Sequence, residues 1–139
     1  MKFSPGARWY TNASSEVNEW VEYAEEDFTV AKSSLRRTKP LTTSSCFHSQ
    51  QCAEKYLKAI LVSREIEFPK THDLLILDGL CNKAGILTGF TKEDLGRLSG
   101  FAVQTRYPGN QPALEDAREA LENASHVRRF ARSLLGFKK

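Results

Sequence analysis

The feature that most constrains this chain is an apolar spacing of three and four residues, carried through five separate segments. From Ser15 to Arg37 the apolar positions are Val17, Trp20, Val21, Ala24, Phe28, Ala31 and Leu35. Those steps align on one side of a helix and form a single stripe. A half-buried strand would alternate every second residue, and no segment does so convincingly. The spacing predicts a first helix over about Ser15–Arg37. Ser14 or Ser15 is placed to cap it, with Glu16 and Glu19 at its positive end and Arg36 and Arg37 at its negative end. Lys39-Pro40 then stops it.

The same reading predicts four more helices. The second spans about Ser44–Arg64, with Phe47, Gln50, Ala53, Leu57, Ile60 and Leu61 facing inward. A short third runs from about His72 to Lys83 with Leu74, Leu75, Leu77 and Leu80, the Thr71 hydroxyl being placed to cap it and Gly85 to end it. A fourth opens at Thr91, whose hydroxyl can cap the amides of Glu93 and Asp94, and carries Leu95, Leu98, Phe101 and Ala102. Its Gly96 and Gly100 either permit close packing or weaken the helix. Arg106 to Pro112 reads as a loop. The last helix begins near Pro112, a favoured first-turn residue, carries Leu114, Ala117, Leu121, Ala124, Val127, Ala131 and Leu134, and closes at Gly136.

Three long helices and two short ones, joined mostly by short loops, predict an all-α antiparallel up-and-down bundle. The 139 residues suit one domain, with its core over about 15–135. A net charge of +3 is weak for a dedicated nucleic-acid binder, which concentrates more basic charge. Three cysteines, Cys46, Cys52 and Cys81, without a C-x-x-C, fit neither a disulfide framework nor a zinc site. Reduced, buried thiols are expected. No run approaches the roughly 18 apolar residues of a membrane span, and Met1–Glu16 has no apolar signal core, so the cytosol is the expected location.

The predicted second helix has a polar edge beside its apolar stripe. His48, Gln51, Lys55 and Lys58 fall within an arc of about 80° at ~100° per residue. Lysine stems can pack along the core edge while the ammonium groups reach outward. Such an edge offers donors and positive charge to phosphate or to acidic side chains. A solvated face with lysines lying along it has the same spacing. No phosphate-binding Gly-rich loop, dinucleotide fingerprint, zinc-protease motif or nucleophile elbow is present.

Four blocks in order carry a resemblance. They are Trp20, Ala24, Asp27 and Ala31 in an acidic first helix; Phe47-His48-x-Gln50-Gln51-x-Ala53-Glu54-Lys55-Tyr56-Leu57-Lys58-Ala59; Phe68-Pro69-Lys70-Thr71-His72-Asp73-Leu74; and Arg106-Tyr107-Pro108. Together they resemble the HEPN domain family over about residues 16–135. The resemblance implies a compact helical bundle, a homodimer, and a possible nucleotide ligand. It also implies a possible protein partner, a minimal nucleotidyltransferase, the two acting in some cases as toxin and antitoxin. No cofactor or metal is implied.

Some members of that family are metal-independent ribonucleases with an Arg-x(4–6)-His motif. Here His72 follows Arg64, and His126 follows Arg118, each with seven residues between. Arg118 and His126 would lie about 12 Å apart along one helix, at ~1.5 Å per residue. Arg106 has no histidine within the next six residues. The expectation is therefore a non-catalytic binding module, with Arg106 and His126 the weak candidates for a relocated ribonuclease site acting on RNA. The expected ligand-binding set is His48, Gln51, Lys55, Lys58, His72, Arg106 and Tyr107. Lys55, Lys58 and Arg106 would hold phosphate, His48 and Gln51 would orient the ligand, and Tyr107 would stack on a base. A convergent cleft is what that reading requires. Arg128, Arg129 and Arg132 read more simply as a solvated basic face that complements the last helix dipole.

Overall fold

The computed structural model describes residues 11–102, 108–109 and 111–138, with side chains from residue 15 onward. It contains five helices and, among the described residues, no strand: α1 (Thr11–Arg36), α2 (Thr42–Ser63), α3 (Leu74–Lys83), α4 (Lys92–Gly100) and α5 (Leu114–Leu135). None is long and apolar enough to cross a membrane.

α2 runs through the middle of the bundle. Cys46, Cys52, Ala53, Tyr56, Leu57, Ala59, Ile60 and Leu61 are all fully buried, and Glu54 and Lys58 beside them are nearly so, which leaves little of the second half of the helix in solvent. A helix buried over most of its circumference has to be wrapped by neighbours. α1 lies antiparallel to it, because Ala31 pairs with Ser45 near one end and Glu25 with Tyr56 further along. α5 packs on both, Arg128 reaching Glu25 of α1 and Arg132 reaching Tyr56 of α2. The short helices α3 and α4 close the remaining side, and Leu74, Leu77, Leu95 and Leu98 complete one continuous core.

The helix ends show where local sequence signals held. Thr91 accepts from the Asp94 amide, as its position predicts. The cap of α3 is Asp73, whose carboxylate accepts from the Leu75 amide. Thr71 instead accepts from the Asp73 amide, so it fixes the cap rather than serving as one. α1 begins four residues before Ser15, which places Ser14 and Ser15 inside the helix. α5 begins at Leu114 rather than Pro112, with Asp116 accepting from the Ala113 amide. Gly136 ends α5 in the left-handed region at φ 84°, and Phe137 bonds back to the Arg132 carbonyl (2.8 Å). α2 ends in the same way without a glycine. Glu65 takes φ 57°, and Ile66 bonds back to Leu61 (2.9 Å). Gly96 of α4 is not needed for close approach, since an added Cβ would stand 3.9 Å from Leu75 Cδ1, an ordinary contact.

Candidate functional site

Small residues bring α1 and α2 together. Ala24 and Ala31 are fully buried, and the Ser45 hydroxyl donates to the Ala31 carbonyl (2.8 Å). Asp27 lies on that same side of α1, one turn from each alanine, and is nearly buried. An ionised carboxylate there requires partners. It receives two from α2: His48 through Nδ1 (2.7 Å) and Lys55 through Nζ (2.6 Å). A carboxylate only accepts, so the His48 proton on this contact sits on Nδ1. The lysine ammonium also stands 6.0 Å from the Tyr23 ring centre.

A second carboxylate, Glu54, organises the other side of the polar edge. It takes Lys58 Nζ at 2.9 Å, His72 Nδ1 at 3.0 Å, Gln50 Nε2 at 3.1 Å and Gln51 Nε2 at 3.4 Å. Gln50 also donates to the His72 carbonyl (3.0 Å), and Gln51 donates to Gln50 Oε1 (2.7 Å). The chain entering α3 is thereby tied to α2. Lys58 is buried between aromatic rings, 5.5 Å from Trp20 and 5.7 Å from Phe68, which meet edge to face. Burial pushes the Glu54 carboxyl up. Hydrogen bonds from Lys58, His72 and Gln50 outweigh it, and the group titrates below the usual carboxylate range.

Each expected ligand residue of α2 therefore has a partner inside the chain. His48 and Lys55 belong to Asp27, while Gln51, Lys58 and His72 belong to Glu54. His72 and Lys58 do meet across the bundle, with a carboxylate between them. The side chains form two adjoining clusters built on buried anions. Arg106 and Tyr107 lie outside the described residues. His126 is exposed on α5 and lines a different depression of about 110 Å³, with Asn123, Asp94, Thr91 and Phe90. Phe90 itself packs against Phe130 (5.6 Å).

A third cluster was not expected from the sequence. Glu25 receives Arg128 Nε (2.6 Å) and Nη2 (3.0 Å) as a bidentate pair, and the Tyr56 hydroxyl donates to the same carboxylate. Arg132 donates to the Tyr56 oxygen (3.1 Å). Burial raises the Glu25 carboxyl, the Arg128 and Tyr56 hydrogen bonds and the two guanidinium charges lower it by more, and the net direction is down. Burial and the neighbouring Glu25 push the Tyr56 phenol up. Of the three arginines read as a solvated face, Arg129 is exposed, whereas Arg128 and Arg132 turn inward. The signal that could have found this cluster was the place of Tyr56 on the apolar stripe of α2, one turn from Ala53 and Ile60, where a buried hydroxyl demands a partner.

The three cysteines are free and buried. Burial raises the Cys46 and Cys81 thiols to about 12 and pushes Cys52 up as well, so none is a nucleophile at neutral pH. An open cavity of about 630 Å³ is lined by Pro40, Leu41, Thr42, Thr43, Ser44, Phe47 and Gln111, and includes none of the polar-edge residues.

Comparison with known proteins agrees with this architecture. Two solved structures superpose on the chain. TT1696, a protein of Thermus thermophilus, has a TM-score of 0.68 and 25% identity, over 84% of this chain and 96% of that one. ST0689, described as an archaeal HEPN homologue, has a TM-score of 0.61 and 24% identity, over 86% of this chain and 97% of that one. No curated protein matches. The HEPN domain family model matches residues 17–134, nearly the whole of the described bundle, and the chain belongs to the HEPN domain family.

Proposed function

We propose that this HEPN domain is a non-catalytic binding module whose ligand is protein: a second copy of itself and a minimal nucleotidyltransferase, with toxin–antitoxin pairing as the biological setting. One observation carries the reading. The cations of the α2 polar edge are matched within the chain, Lys55 to Asp27 and Lys58 to Glu54, with the carboxylates lying deeper than the groups that bind them. A phosphate would have to compete with buried anions for which these lysines are the full positive charges. Exposed apolar side chains support the same reading. Leu75 and Ile76 on α3 and Leu87 after it stand 38%, 44% and 80% exposed. Surface leucines are common singly, and an adjacent exposed pair at the start of α3 with a largely exposed leucine beyond its end favours a protein contact.

Co-expression with a minimal nucleotidyltransferase from the same genome tests the reading. The expected result is a stable complex through size-exclusion chromatography, weakened by Ile76→Glu or Leu87→Glu. Alone, the chain is expected to run as a dimer by light scattering. A monomer that ignores the nucleotidyltransferase and binds a nucleotide tightly would overturn the proposal.

A further inference from the structure

The Glu25 cluster inverts the arrangement of the other two. Asp27 and Glu54 sit beneath their cations, with side chains 10% and 4% exposed. Glu25 sits above, 32% exposed, over Arg128 at 18% and Arg132 at 14%, and Tyr56 is fully buried below. The anion is the outermost member of its cluster, and the donors line the floor.

The donors also have supports of their own. The Arg128 guanidinium lies 4.7 Å from the Phe28 ring centre and that of Arg132 lies 5.4 Å from the Phe137 ring centre. Arg132 is held further by the Lys138 carbonyl. None of these contacts passes through Glu25. Stacked guanidinium groups keep their orientation when one hydrogen-bond partner leaves.

The match with a carboxylate is incomplete. Two guanidinium groups face one negative charge. Both Glu25 oxygens are taken by Arg128, and Arg132 approaches no nearer than 3.7 Å, beyond hydrogen-bonding distance. A tetrahedral dianion would carry a second charge and a third oxygen in that direction. We propose that Arg128, Arg132 and Tyr56 form an oxyanion site that Glu25 fills from within the chain, and that its exchangeable ligand is the phosphate group of a small phosphate monoester. Glu25 turns into solvent as the phosphate enters. Arg128 keeps its bidentate contact, Tyr56 donates to the same oxygen edge, and Arg132 gains a direct anionic partner. Because Glu25 belongs to α1 and Arg128 to α5, occupancy would replace the α1–α5 ion pair with a ligand-centred one. The inference is independent of the protein-binding reading.

The test uses the full chain and two probes, inorganic phosphate and phenyl phosphate, with potassium chloride at matched ionic strength as control. In wild type the Arg128 side-chain Nε–H resonance should shift saturably with phosphate and not with chloride. In Glu25→Ala, calorimetry should show phosphate binding at least about tenfold tighter, a gain of roughly 1.4 kcal/mol. Phosphate should also recover the thermal stability the variant loses in chloride. Glu25→Ala/Arg132→Gln should bind more weakly than Glu25→Ala. A tighter fit for phenyl phosphate than for inorganic phosphate identifies a monoester site, and equal affinity would overturn the assignment to a monoester. Should Glu25→Ala fail to fold, the wild-type titration decides alone. An Arg128 resonance in wild type that is unmoved by phosphate would make Glu25 a permanent strut and overturn the proposal, even if the variant binds.

Discussion

Replacing Lys58 with methionine isolates what the polar edge does for the fold. Methionine keeps the stem length and the contact with Trp20 and Phe68 and removes only the ammonium. Glu54, 4% exposed, then loses its one full positive charge. Breaking a buried pair from one side costs about 3–5 kcal/mol. Gln50, Gln51 and His72 still donate to Glu54, which puts the expected loss near the lower figure, about 3 kcal/mol. For a domain of this size that is a fall in Tm of about 10 °C. Urea unfolding followed by circular dichroism at pH 7 measures it.

The pH dependence supplies a second check. The Glu54 carboxyl titrates below its ordinary value of 4.5 in the folded wild type. Its contribution is therefore present above pH 4.5 and is lost as pH falls through the lower folded value. Without Lys58 the folded carboxyl titrates higher, so the variant is relieved of its unpaired charge sooner on acidification. The gap between variant and wild type should narrow between about pH 7 and about pH 4. Adding Glu54→Gln to Lys58→Met should recover at least about half of the loss, because no buried charge then remains. A Lys58→Met protein within about 1 kcal/mol of wild type at pH 7 would refute the reasoning, because the lysine would then be a solvated side chain.

Three further outcomes follow from particular residues. Glu65→Gly should stabilise the domain by about 1 kcal/mol in urea unfolding, since Glu65 holds φ 57° at the end of α2 where a side chain is strained. Ser49→Ala should be neutral or stabilising by up to about 1 kcal/mol, because its hydroxyl is fully buried without a hydrogen-bond partner. The three thiols should react with Ellman's reagent at pH 8 only on unfolding, their burial and raised pKa denying both access and thiolate.

Much of the architecture was legible because it rests on periodicity. The apolar stripes of α1 and α5 point inward at Val17, Val21, Ala24, Ala117, Ala124, Val127 and Ala131 as the spacing requires. The stop at Glu65 was not legible, because a left-handed cap filled by glutamate leaves no glycine to read. The polar edge of α2 was legible as an edge, down to His48, Gln51, Lys55 and Lys58. Its partners were not, since a carboxylate on another helix is a tertiary fact: Asp27 lies 28 positions from Lys55. Arg128 and Arg132 misled for the same reason. On one helix they resemble Arg129, and it is partners on other helices, Glu25 for Arg128 and Tyr56 for Arg132, that turn them inward. Arg106 and Tyr107 fall outside the described residues, and their expected roles rest on the sequence alone.

The central claim is that the cations of the α2 edge serve the fold and its protein partners, with no nucleotide among their ligands. Thermal unfolding of the wild-type chain with and without ATP, GTP, CTP and UTP tests it most directly, with Lys55→Ala as the control because Lys55 is the more exposed of the two lysines. A nucleotide at about a hundred times its Kd would add roughly 2.7 kcal/mol, a rise of several degrees. The account predicts no rise that depends on Lys55 with any of the four. A rise that disappears in Lys55→Ala would contradict it and make the edge a phosphate site.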